Sequence, residues 1–134
     1  KLKAGGPAKK LGKVIIGTVE GDIHDIGKDI VVFMLDVSRF EVYDLGIDVP
    51  ASKFIEKIRE TGTTVVGLSG FLTLAFESMK TTIDLIKKEG LRDNLKIMIG
   101  GGQIDESIRK YAGADAYGKD AMTAVALARQ WLKG

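Results

Sequence analysis

The chain has 134 residues, 45% of them hydrophobic and 28% charged, with 20 basic against 18 acidic side chains for a net charge of +2. That length and balance fit one compact domain able to fold without metal or disulfide support, and the absence of cysteine excludes a disulfide framework, a thiol nucleophile and thiolate ligation of zinc or an iron–sulfur cluster. No apolar run approaches the roughly 20 residues needed to span a bilayer, so a soluble, cytoplasmic protein without a membrane partner is expected.

The chain opens with Lys1, Lys3, Lys9, Lys10 and Lys13 around Gly5, Gly6 and Pro7. It has no aromatic residue there for base stacking, so residues 1–12 read as a solvated basic linker and no nucleic-acid partner is expected. Residues 13–134 read as the domain itself. Val14 to Val19 predicts a strand, and Ile26, Ile30, Phe33, Met34 and Val37 then recur at helical spacing. Phe40 to Leu45 predicts a second strand, and Ala51 to Glu60 a helix with Pro50 at its start. Thr64 to Leu68 is β-branched and predicts a third strand, followed by a helix through Phe76, Met79, Ile83 and Ile86 that stops at Gly90.

Lys96 to Ile99, Ile104 to Lys110, Ala114 to Tyr117 and Ala121 to Lys133 complete five βα units. Short apolar strands alternating with amphipathic helices imply a doubly wound α/β domain, a five-stranded parallel sheet covered on both faces. A flavodoxin-like order of 2-1-3-4-5 suits five units of this length. Ligands of such sheets bind beyond the carboxyl ends of the strands, which makes the loops after strands one, three and four the candidate site.

Those loops read Glu20-Gly21-Asp22-Ile23-His24-Asp25-Ile26-Gly27, Ser69-Gly70-Phe71-Leu72-Thr73 and Gly100-Gly101-Gly102-Gln103. A phosphate site of the flavodoxin or dinucleotide kind fits poorly, because Glu20, Asp22 and Asp25 would repel phosphate and no G-x-G-x-x-G is present. A signalling receiver of the same fold needs an acidic pair after strand one, a Lys after strand five and a phosphorylatable Asp after strand three. Lys119 and the acids are available, but the third-strand position is Ser69. His24, the only histidine, offers a third reading. If the turn lets Asp22 accept its Nδ1 proton, Nε2 is left to bind a metal. No other His or Cys completes a protein-made site, so the metal must bring its own ligands, as haem iron or corrin cobalt does.

Asp22, His24 and Gly27, then Ser69 after forty-one residues, then Gly100 and Gly101 after a further twenty-eight from Leu72, resemble the D-x-H-x-x-G, S-x-L, G-G pattern of the cobalamin-binding domains of methionine synthase and corrinoid methyl-carrier proteins. The resemblance covers roughly residues 13 to 133. The stretch from Gly21 to Val31 and Asp44-Leu45-Gly46 favour the methyl-transfer branch over the adenosylcobalamin mutases that share the frame. Two positions depart from the pattern: Phe71 replaces the Leu of S-x-L, and Ala75 stands where methionine synthase has a serine that lengthens the His–Asp relay. A small carrier protein is therefore the nearer likeness.

The resemblance implies a cobalamin-type corrinoid whose own benzimidazole leaves cobalt, with His24 as the lower metal ligand and Asp22 as its hydrogen-bond partner. It implies cofactor contacts from Asp22, Ile23, His24, Asp25, Ile26 and Gly27, from Ser69, Phe71, Leu72 and Thr73, and from Gly100, Gly101, Gly102, Tyr117 and Gly118. The hydroxyls of Ser69 and Thr73 would meet the nucleotide tail, although both positions also suit helix capping. The expected role is to carry a methyl group between methyl-donor-specific and methyl-acceptor-specific methyltransferase subunits, with catalysis belonging to those subunits. An N-terminal helical cap beyond the linker is expected over the cofactor's upper face.

Overall fold

The computed structural model describes residues 10–118 and 120–132. Most of the basic linker, Lys119 and the last two residues lie outside the described residues. The elements alternate throughout: β1 (Lys13–Thr18), α1 (Ile26–Val37), β2 (Glu41–Asp44), α2 (Ala51–Thr61), β3 (Val65–Ser69), α3 (Thr73–Lys88), a short 3-10 turn (Arg92–Asn94), β4 (Lys96–Gly100), α4 (Glu106–Ala112), β5 (Ala116–Gly118) and α5 (Ala121–Leu132). The strands form one parallel sheet in the order β2-β1-β3-β4-β5, as the pattern of five units implies.

β1, β3 and β4 lie inside the sheet and are covered on both faces, so they are almost continuously apolar and buried. β2 and β5 form the edges and are mostly half-buried. On one side Phe54, Ile58, Met79, Ile83 and Ile86 of α2 and α3 pack on Ile15, Val66 and Ile97. On the other, Leu35 of α1 and Ala124, Val125 and Ala128 of α5 pack on Val14, Val65 and Met98. Among the described residues no helix is long and apolar enough to cross a membrane.

Most boundaries lie within one residue of the periodicity, and the starts of α4 and β5 each lie two residues later. α4 starts two residues later than Ile104 because Asp105 caps it, its carboxylate accepting from the Ile108 amide. β5 starts at Ala116 because the Asp115 carboxylate first takes the Ile97 amide. α1 forms as expected, but four of the five residues that carried its period face outward: Ile26, Ile30, Phe33 and Val37 are between 52% and 79% exposed. The inward face is made by Lys28 and Leu35, with Val31 and Met34 half-buried behind them. The helix is apolar nearly all round, so period alone does not choose a face.

Because Phe54 is fully buried and Phe33 is not, Phe54→Ala is expected to lower unfolding stability by about 3–5 kcal/mol, and Phe33→Ser by no more than about 0.5 kcal/mol. Urea midpoints check both. Equal losses would mean that the outward face of α1 is part of the core.

Candidate functional site

At the carboxyl edge of the sheet the chain leaves β1 and builds a loop with few residues of its own to fix it. Outside atoms do so instead. The Thr18 hydroxyl donates to the His24 carbonyl at 3.0 Å, the Ser78 hydroxyl to the Glu20 carbonyl at 2.7 Å, and the Gly21 amide to the Asp48 carboxylate at 2.8 Å. Asp48 itself holds a left-handed φ of 52°, a conformation in which Asp is among the better tolerated residues. The stretch before α2 is thus a prop for the loop after β1.

The strongest tie is Asp22. Its side chain is fully buried while that of His24 is 48% exposed. One carboxylate oxygen accepts from the His24 amide at 2.9 Å and lies 2.7 Å from His24 Nδ1. The other accepts from the amides of Phe71 and Leu72 at 2.7 and 2.9 Å. Burial alone would push this carboxyl up. The amides of Leu72, Phe71 and His24, together with the imidazole, outweigh it and bring the group down from the ordinary 3.8 to about 2. An ionised carboxylate can only accept, so Nδ1 carries the proton and the lone pair of neutral His24 sits on Nε2. Nε2 has no hydrogen-bond partner among the described residues.

Phe71 joins the three loops. Its ring lies 4.8 Å from the His24 ring at 37°, and a Cβ on Gly102 would come within 3.2 Å of it. Gly101 is required for a separate reason: at φ 148° a Cβ there would sit 1.9 Å from the Gly70 carbonyl oxygen. Ala75 is buried beneath the same turn. No hydroxyl is needed at that position, since both Asp22 oxygens are already occupied.

Beside this edge, on the α1 and α5 side, a cavity of about 300 Å3 opens among Gly27, Lys28, Ser69, Gly100, Gly102 and Gly118. Its floor is where β3 has Gly67 between Ile16 and Met98 in register. A Cβ at Gly67 would meet nothing closer than 3.5 Å, and one at Gly27 nothing within 4 Å. Neither glycine is demanded by the chain's own packing, so both leave room for something else. Lys28, nearly buried in the wall, donates to Asp29 at 2.9 Å and to both Asp44 oxygens at 2.8 and 3.0 Å. Burial alone would lower this ammonium, and the two carboxylates raise it.

All of the expected residues but Tyr117 thus fall into three groups. Asp22, His24, Phe71 and Leu72 meet around one carboxylate. Gly27, Ser69, Gly100, Gly101, Gly102 and Gly118 line the cavity. Ile23, Asp25, Ile26 and Thr73 lie at the mouths of the loops, and neither Asp25 nor Thr73 makes a side-chain cap, since the residue capping α3 is Leu72. Tyr117 packs against the opposite core. Lys28, Asp48, Gly67 and Met98 were not singled out from the sequence. Gly67 alone had a signal, a glycine inside a β-branched strand.

Among the described residues no group of three His, Cys, Asp or Glu could hold a metal ion. His24 can therefore give one nitrogen to a metal whose other ligands come with it, and the cavity beside it leaves room for a further part of such a ligand. The residues present fit such a group.

A model of the B12 binding domain family matches residues 12–126. The chain is similar to dimethylamine corrinoid protein 2 of Methanosarcina acetivorans, 43% identical over 134 residues, all of this chain and 62% of the relative. Among solved structures it is similar to a cobalamin-binding protein from Desulfitobacterium hafniense, with 47% identity, a TM-score of 0.88, and 90% of this chain and 58% of that one covered. It is also similar to a chain of the methanol:cobalamin methyltransferase complex MtaBC from Methanosarcina barkeri, with 27% identity, a TM-score of 0.88, and coverage of 98% and 50%. The chain thus spans about three fifths or less of the length of these proteins.

The lowered Asp22 group fixes the sign of an acid effect. Its contribution is complete above its unfolded value of 3.8 and is lost as pH falls towards about 2, amounting to about 2 kcal/mol at 1.36 kcal/mol per pH unit. Asp22→Asn should be less stable than wild type at neutral pH by at least that amount and should lack that part of the acid limb. Parallel acid limbs in urea titrations would show that the carboxylate is not held in this way.

Proposed function

Because the chain belongs to the B12-binding domain family, we propose that it binds its corrinoid with His24 Nε2 as the lower axial ligand and carries a methyl group between methyltransferase partners. A corrinoid supplies four equatorial nitrogens and a cobalt able to take up a methyl group from a donor and yield it to an acceptor. One observation carries the reading: an ionised, fully buried carboxylate 2.7 Å from Nδ1 of the only histidine. Asp22 keeps the proton on Nδ1 and holds the ring, which directs the basic nitrogen outward. Should His24 leave the metal, the same carboxylate stabilises the protonated imidazole, so ligation and proton uptake are linked.

Gly27 leaves open space at the start of α1, Ser69 offers a hydroxyl at the mouth of the cavity, and Gly100, Gly101, Gly102 and Gly118 clear its rim for the nucleotide tail. Phe71 lies against the imidazole, and Ile23, Asp25, Ile26, Leu72 and Thr73 at the mouths of the loops are assigned to the macrocycle. The outward stripe of α1 runs about 16 Å from Ile26 to Val37. Exposed apolar stripes of that extent mark protein contacts, which supports docking by methyl-donor and methyl-acceptor subunits. The similarity to dimethylamine corrinoid proteins supports a methylated amine as the donor class. The same reading places a helical cap N-terminal to residues 1–12, over the cofactor's upper face. The compartment this reading expects is the cytoplasm.

Apoprotein mixed with hydroxocobalamin or methylcobalamin should take up the cofactor, and its visible spectrum should change in His24→Ala. Identical spectra would remove His24 from cobalt, and no uptake by folded wild type would remove the whole reading. Gly27→Ala separates binding from folding. It should stabilise the apoprotein by about 0.5–1 kcal/mol, because glycine is a poor helix residue and the site has room, while weakening cobalamin uptake. Unchanged uptake would mean that the space beside Gly27 is not used.

A further inference from the structure

The cavity wall is layered by the register of the sheet. Ser69 and Gly100 lie side by side at the mouth, and Ile16, Gly67 and Met98 lie side by side two residues deeper, about 6–7 Å along the strands. Val31 closes the deep layer from α1 and Ala124 from α5. Side chains that bear polar atoms on this wall are Lys28, Ser69 and Asp120. The three hydrogens of the Lys28 ammonium go to Asp29 and Asp44. Asp120 is exposed at the rim, where one of its oxygens already accepts from the Thr123 amide and hydroxyl. The backbone of β1, β3 and β4 along the deep layer is paired in the parallel ladder. Below Ser69, therefore, the described side chains present hydrocarbon and the Met98 thioether, with no donor or strong acceptor to spare.

Resting on the corrinoid reading above, we propose that this cavity selects the lower base of the cofactor: it accepts a benzimidazole with a hydrocarbon outer edge and rejects a purine. A dimethylbenzimidazole turns two methyl groups inward, which Ile16, Met98 and Ala124 can meet. An adenine turns an amino group and ring nitrogens inward, which would lose their water without gaining a partner. The two bases are close in size, so discrimination follows from hydrogen bonding rather than volume. A purine is disfavoured about 10- to 100-fold, the range in which a hydrocarbon pocket rejects a group whose polar atoms it leaves unpaired.

Calorimetric titration of the apoprotein with three corrinoids tests this: hydroxocobalamin, its analogue with adenine in place of dimethylbenzimidazole, and cobinamide, which lacks the tail. Hydroxocobalamin should bind at least about tenfold more tightly than the adenine form and also more tightly than cobinamide. Met98→Gln, which places an amide in the deep layer, should narrow the preference between the two bases to within about threefold. An adenine form that binds wild type as well as hydroxocobalamin overturns the selection. So does a cobinamide that binds as well as both, because the tail then gains nothing from the cavity; in either case corrinoid binding itself stands. Failure of all three to bind overturns the corrinoid reading, and the selection with it.

Discussion

Four hydrogen bonds converge on the buried Asp22 carboxylate, two from His24 and two from the amides of Phe71 and Leu72, and they bind the loop after β1 to the start of α3. A charge so far from water persists only because each oxygen is doubly satisfied. Everything nearby takes its position from that arrangement. The imidazole has one tautomer and one face to present, Phe71 is brought against it, and Gly101 must pass close under Gly70. Removing the charge would therefore loosen three loops together.

The cavity depends on the opposite device, a set of missing side chains. Gly67 in the middle of β3, Gly100 and Gly118 at strand ends, and Ala124 on α5 leave a hollow that no neighbour fills. Such a hollow survives because the other side of the sheet is densely packed by α2 and α3 and because Lys28, tied to Asp44, holds the start of α1 against the end of β2. A cation in the first turn of a helix opposes the helix dipole. Asp29 in the same turn and Asp44 across from it offset that.

The architecture was legible in the sequence because each strand is short and apolar and each helix has clear ends, which leaves few alternatives to a doubly wound sheet. The Asp22–His24 pair was legible because two residues of a turn can be brought together by local geometry alone. The amides of Phe71 and Leu72 that complete the carboxylate were not, since they lie forty-nine and fifty residues away and a backbone donor leaves no mark in composition. The outward face of α1 was also hidden: Val31 and Leu35 are as apolar as Ile30 and Phe33, and only the sheet decides which pair turns inward. Tyr117 packs on the opposite core because successive strand residues alternate faces, and its neighbour Gly118 holds the cavity side.

His24 and Lys28 stand four residues apart, on either side of the point where loop becomes helix, so the outward imidazole and the cavity wall belong to one short rigid segment. A ligand long enough to reach both is gripped at two points whose separation the protein has already set. Once either end is engaged, the other meets its site at the high effective concentration of an intramolecular contact. Release then requires both ends to let go within the same interval. A large ligand held at both points is in this way retained by one short segment of the chain.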